Sequence, residues 1–180
     1  MTGSRMTGGR AVIAEDFREA MGSVCCPVTV VTGLDGERPH GTTVSAFSSL
    51  SLEPPLVMVA LDRTSDLLPI VRESGLFGIN LMSHGQDELA LTFARKGRDK
   101  FAGVSWREDH GAPRLVGASG WLACEVLELV HGGDHEIVVS LVIAAEPIEG
   151  APLVYHRRQF GTHSYFAEVA VPDAASLGAR

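Results

Sequence analysis

The stretch from Trp121 to Glu146 constrains the fold most. Two β-rich runs, Trp121 to His131 and His135 to Glu146, are joined by Gly132-Gly133-Asp134, residues that allow the chain to reverse with positive φ. Such a pair is a long antiparallel hairpin. An isolated hairpin is marginal in water, so the rest of the chain must supply further strands and a core for it.

The remaining segments do so. PVTVVTG at 27–33 and GTTVSAF at 41–47 flank Leu34-Asp35-Gly36, a second hairpin. Pro54-Pro55 breaks the chain before LVMVAL at 56–61, a continuous apolar run that reads as a buried strand. FGINLM at 77–82 and LVYHRRQ at 153–159 read as further strands. Helical spacing is confined to three short pieces. Phe17, Ala20, Met21 and Val24 form one stripe over Ala14 to Val24, ended by Pro27. Asp66 to Glu73 follows Ser65 as N-cap and stops at Gly75. After Ser83, Leu89, Ala90 and Phe93 share a face. The polar stretch Ala94 to Gly103 reads as a loop over a site. Six or seven strands without βαβ alternation predict a mainly β fold, an antiparallel β-barrel with flanking helices.

With 180 residues, one domain is expected: a folded part over 14–168, a flexible leader at 1–13 and a flexible tail at 169–180. The start, MTGSRMTGGR, lacks the apolar core of a signal peptide. No apolar run reaches the roughly 18 residues that span a bilayer. The net charge of −7 argues against nucleic acid or an anionic membrane as partner. Cys25 and Cys26 are adjacent and Cys124 stands alone, so all three read as small apolar filler in a reducing cytoplasm.

The usual phosphate loops and metal motifs are missing: no GxGxxG, GxxxxGK[ST], HExxH or GxSxG occurs. Three polar clusters remain, each with two readings. Gly41 to Ser51 is rich in small hydroxyl residues, which either satisfy local backbone or let a flat ligand approach it. Lys96 and Lys100, the only lysines, sit beside Arg95 and Arg98; they form a solvated face or a positive spot for a phosphate. Gly133-Asp134-His135 closes the long hairpin as plain turn residues, or offers a histidine oriented by a carboxylate. No third ligand accompanies His131 and His135 at a metal-site spacing, so no metal is expected.

In order and spacing, GTTVSAFSSLSLEPPLVMVAL, FGINLM, Lys100-Phe101, GDHEIV and PLVYHRRQF resemble the short-chain NAD(P)H:flavin reductases that serve two-component monooxygenases. The resemblance runs from about Phe17 to His163. It implies an FMN-binding split barrel, usually a homodimer, with FMN or FAD and NADH or NADPH as cofactors and a separate monooxygenase receiving reduced flavin. It further implies that Thr43, Val44, Ser45 and Ala46 line the ribityl-phosphate side of the flavin. Ser49, Leu50 and Ser51 would lie against the isoalloxazine ring, and Asp62 to Ser65 would add contacts. Lys100 and Phe101 match the phosphate-side loop, His135 the residue that meets the nicotinamide, and Tyr155 the closing strand beside the same pocket. Hydride transfer between two cofactors needs orientation rather than a protein nucleophile, which this inventory can supply. The competing readings are a flavin- or haem-binding split barrel without turnover, and an oxidase of a phosphorylated vitamin in a related barrel.

Overall fold

The computed structural model describes residues 14–97, 99–147 and 149–163; the expected leader and tail, and residues 164–168 of the expected domain, lie outside these. In chain order the elements are α1 (Ala14–Gly22), β1 (Cys26–Pro27), β2 (Thr29–Asp35), β3 (Arg38–Val44), β4 (Phe47–Leu52), β5 (Pro55–Asp62), α2 (Leu67–Ser74), β6 (Leu76–Leu81), α3 (Asp87–Ala94), β7 (Trp106–Asp109), β8 (Ala112–Leu115), β9 (Gly120–Gly132), β10 (His135–Pro147), β11 (Val154–His156) and β12 (Gln159–Gly161).

Both expected hairpins form. β9 and β10 reverse at Gly133-Asp134, with Gly133 at φ 75°. β2 and β3 reverse at Gly36-Glu37, with Gly36 at φ 59°. Seven strands make one antiparallel sheet in the order β3-β2-β6-β9-β10-β5-β4. Its two outermost strands, β3 and β4, are consecutive in the chain and separated only by Ser45-Ala46. Such a link reaches about 10 Å, whereas seven flat strands would hold the edges about 29 Å apart. The sheet therefore rolls into a barrel. The Ala60 N–H donates to the Ala46 carbonyl at 3.0 Å at the seam. Among the described residues no ladder pairs β3 directly with β5.

Alternation along the strands fills the barrel. Val31, Val44, Val57, Val59, Leu61, Phe77, Ile79, Cys124 and Val138 form its core, and α2 adds Leu67, Leu68 and Val71. The N-cap position of α2 is Asp66 rather than the expected Ser65, but the Leu67 N–H donates to Ser65 Oγ at 3.2 Å. Gly75, at φ 69°, stops the helix by donating to the Val71 carbonyl. A second core lies outside the barrel wall, where Ala90 and Phe93 of α3 pack on Val28, Val30, Met82, Leu115 and Leu153. Asn80 stitches β7–β8 to the wall: its amide donates to the Val30 carbonyl, and its Oδ1 accepts the Leu115 N–H at 2.7 Å.

Several expectations change. LVMVAL is not buried on both sides; Val57, Val59 and Leu61 point inward, while Met58 faces outward and is 37% exposed. LVYHRRQ is a hairpin, β11 to β12, turning at Arg157-Arg158 with both residues at positive φ. β7 and β8, turned at His110-Gly111, are an extra hairpin that carries no strong sequence signal. The helical stripe at the N-terminus does form α1, yet none of its residues is buried: Phe17 and Met21 are 59% and 49% exposed. Only Cys124 is a core thiol, its pKa pushed up to about 12 by burial; Cys25 is exposed and Cys26 half-buried.

Candidate active site

The seam where β3 leaves β5 opens as a cleft of about 240 Å³. One wall is His40, Gly41 and Thr42 of β3; the opposite wall is the turn from Asp62 through Ser65 to Asp66; the segment after α3 covers them with Arg95, Lys96, Lys100 and Phe101. The site exists because one strand is shared by both edges of the sheet and cannot pair fully with β5 along its length.

Each wall is held from within. Lys100 Nζ donates to the carbonyls of Gly41 at 3.1 Å and Phe93 at 2.9 Å. An ammonium has three donors, so one remains for a ligand in the cleft. Burial lowers the Lys100 pKa, with Asp66 opposing. Phe101 stacks edge-on against Phe93 and Trp106, with ring centroids 4.9 and 5.7 Å away, which anchors the covering segment. Asp62 accepts from the N–H and the hydroxyl of Thr64 at 2.7 and 2.8 Å. These bonds hold its carboxyl below the usual aspartate range. The floor at Gly41 is tight: a Cβ there would lie 2.8 Å from the Phe93 ring.

Asp62, Ser65, Lys100 and Phe101 therefore meet in one cleft. Thr43 does not present its hydroxyl there; it donates to the Ala90 carbonyl at 2.6 Å. Val44 is buried in the barrel core and its carbonyl accepts from the Thr29 hydroxyl, so at most its backbone edge is free for a ligand. Ser45 and Ala46 lie exposed at the bend. Ser49, Leu50 and Ser51 lie on β4, the edge strand, where a register shift between Ser49 and Ser51 leaves Leu50 without a ladder partner. An edge strand with a bulge presents backbone donors that no neighbour uses, the donor set that a flavin ring's carbonyl and nitrogen atoms need. His135 is the cross-strand partner of Asp62. Its Nδ1 pairs with Asp134 Oδ1 at 2.8 Å, a bond that does not use Nε2. Tyr155 sits on the small β1-β11-β12 sheet against Phe160 and does not line the cleft.

His40 went unnoticed in the sequence. It stands on the cleft wall with Nε2 sealed from solvent and without a hydrogen-bond partner. Burial, then the Arg38 charge, holds its pKa below the ordinary histidine value. A lone histidine in PHGTT has no motif to announce it; only the cleft reveals it. Among the described residues no group of three or more His, Cys, Asp or Glu is placed to hold a metal ion, and no helix is long and apolar enough to cross a membrane.

A rolled antiparallel barrel with a cationic, hydroxyl-lined cleft at its seam is the architecture of the flavin-binding split barrels. The chain belongs to the flavin reductase-like domain family, whose model matches residues 21–164. It is 42% identical over 147 residues to the reductase component of 4-hydroxyphenylacetate 3-monooxygenase from Thermus thermophilus, covering 81% of this chain and 94% of that one. To the NADH:riboflavin 5'-phosphate oxidoreductase of Streptomyces pristinaespiralis it is 36% identical over 168 residues, 90% of this chain and 95% of that one. The solved NADH:FAD oxidoreductase of Streptomyces globisporus, in complex with NAD and FAD fragments, superposes with a TM-score of 0.79 at 30% identity, over 91% of this chain and all of that one.

Proposed function

We propose that this protein is an NAD(P)H-dependent flavin reductase that passes reduced FMN or FAD to a separate flavin-dependent monooxygenase. The observation that carries the reading is the pairing of His135 with Asp62, which sets the hairpin tip beside the seam cleft. On this reading one strand pair would join the two halves of a two-cofactor site.

The residues fit a bound flavin nucleotide. The remaining donor of Lys100 and the charges of Arg95 and Lys96 suit its phosphate. Thr42, Thr64 and Ser65 offer hydroxyls to the ribityl chain, and the bulged edge of β4 offers N–H groups to the ring. His135, paired with Asp134, would meet the nicotinamide, and no side chain has to act as nucleophile. Flavin and nicotinamide carry the hydride transfer when both are bound; the protein orients them and excludes water. Tyr155 has no role in the cleft of a single chain.

We also read the active form as a homodimer. Strands β9, β10 and β5 expose the apolar side chains Leu127, Val130, Ile143 and Met58, residues of the kind that protomer interfaces cover. The folded unit is taken to run over 14–168. The compartment is taken to be the cytoplasm, where reduced nicotinamide nucleotides are supplied and thiols stay reduced.

Absorbance at 340 nm tests the activity. NADH or NADPH is expected to be consumed only when FMN or FAD is added, with oxygen reoxidising the flavin. Flavin binding without turnover would instead favour a non-catalytic split-barrel binder.

A further inference from the structure

The segment that covers the seam cleft starts at the end of α3, and that end is fastened at two points. α3 closes without a basic residue in its last turn, and Arg95 leaves it in extended backbone, at φ −72° and ψ 153°. The last carbonyls of a helix have no partner within it and take donors from elsewhere. The Phe93 carbonyl takes one from Lys100 Nζ at 2.9 Å. One turn earlier, the Ala90 carbonyl accepts a bond of 2.6 Å from the hydroxyl of Thr43 on β3. A carbonyl has two lone pairs, so Ala90 can accept this bond beside its helical one.

Alternation along β3 makes the contact. Val44 points into the barrel core, so Thr43 and Gly41 do not share its direction; they share a face, and Gly41 meets the Phe93 ring. The Gly41 carbonyl accepts the second bond of Lys100, at 3.1 Å. Thr43 and Lys100 therefore clasp the same helix end to the same strand, one at Ala90 and the other at Phe93. Ala90 and Phe93 are themselves fully buried, so close packing and hydrogen bonds agree on one position for that end.

The cleft depends on this position. The chain leaving α3 brings Arg95, Lys96, Lys100 and Phe101 to its walls. A displacement of about 0.5 Å takes a bond of 3.1 Å out of hydrogen-bonding range. Lys100 can offer its third donor to a ligand only while its other two remain seated. The Thr43 hydroxyl, committed to Ala90, secures that seat from the opposite side of the helix end.

We propose that Thr43 is a positioning residue for flavin binding: its hydroxyl bond to Ala90 holds the end of α3 on β3 and so sets Lys100 over the cleft, while the side chain itself touches no ligand. The inference rests on the flavin reductase reading and gives Thr43 a role other than lining the flavin.

Fluorescence titration with FMN and riboflavin tests it on the native protein, on Thr43→Val, Thr43→Ser and Lys100→Met, and on Thr43→Val combined with Lys100→Met. Thr43→Val is expected to raise the FMN Kd roughly 3- to 10-fold, the size of one lost hydrogen bond. The riboflavin Kd changes by less than about twofold, since riboflavin has no phosphate for Lys100 to meet. Thr43→Ser restores FMN binding to within about twofold of native, because the hydroxyl returns. In the Lys100→Met background Thr43→Val shifts the FMN Kd by less than about twofold, as two substitutions that break one path do not add. At saturating flavin kcat stays within about twofold, so the loss appears in the KM for FMN. Thr43→Ala gives the same readouts where Thr43→Val does not fold.

An equal loss for riboflavin overturns the inference. So does a full Thr43→Val effect that persists without Lys100, which would make Thr43 a direct ligand contact, or a Thr43→Ser variant as weak as Thr43→Val. Failure of the native protein to bind either flavin overturns the flavin reductase reading as well.

Discussion

His135 stands directly across from Asp62, as the terminal pair of the β10–β5 ladder. The Arg63 N–H next to it donates to the Asp134 carbonyl at 3.0 Å, which ties the hairpin tip to the cleft wall. His135→Ala is expected to lower kcat/KM for NADH by about 5- to 100-fold while flavin affinity stays within twofold. An equal fall in flavin affinity, measured on the same variant, would show that the residue merely braces the cleft.

Lys100 ties two carbonyls together across the cleft. Lys100→Met leaves Gly41 and Phe93 without that donor and removes the half-buried charge. Its flavin Kd is expected to rise roughly 10- to 100-fold, with riboflavin, which has no phosphate, affected least. A riboflavin loss as large as the FMN loss would assign Lys100 to scaffolding alone.

How much of this was legible beforehand differs by segment for physical reasons. The β9–β10 and β2–β3 hairpins announce themselves because glycine at positive φ is encoded locally. The β11–β12 turn does not, because Arg157-Arg158 adopts left-handed backbone under tertiary restraint, the Arg157 N–H donating to the Gly22 carbonyl at 2.8 Å. α1 has the correct period and no core to bury it in, since amphipathicity states that a face needs a cover and not which surface provides it. In the cleft, Lys100 was reachable from its cluster of positive charge, and Asp62 only through the family resemblance. His40 was not, because its significance comes from the seam, which is a property of closure rather than of any local sequence.

Gly78 is a packing requirement. A Cβ built there lies 2.0 Å from Trp121 Cη2 and 2.9 Å from Thr32 Oγ1, and Trp121 is among the largest buried side chains. Gly78→Ala is expected to cost about 3 kcal/mol or more, read from denaturant unfolding. An unchanged midpoint would mean the indole relocates freely.

Acid should loosen β7–β8 first. Arg114 donates to Glu146 and Asp109. Asp109's carboxyl is held below its usual value by His110 and then Arg114, and that of Glu146 mainly by Arg114. Groups depressed in the folded state bind fewer protons than in the unfolded chain, so their stabilisation is present above about pH 4.5 and is lost as pH falls through the folded values. Arg114→Met is expected to lower Tm at neutral pH by roughly 3–6 °C and to flatten the acid limb of the Tm–pH curve. A limb of unchanged steepness would place the acid sensitivity elsewhere.

Met58 and Ile143 test the assembly. Asp at either position puts a charge on the exposed apolar face of β5 and β10, and sedimentation is expected to shift from about twice the chain mass toward the monomer. A native protein that sediments as a monomer at micromolar concentration would refute the dimer outright.

The two-residue link between β3 and β4 carries a kinetic meaning. Most barrels can open only by unzipping a full ladder, but here the closing edge is the other half of the same strand, fastened at the seam by the bond from Ala60 to Ala46. Among the described residues no ladder joins β3 to β5, so that gap can widen while the seven-stranded ladder stays paired. A carrier whose product must diffuse to another enzyme gains from a door hinged in this way.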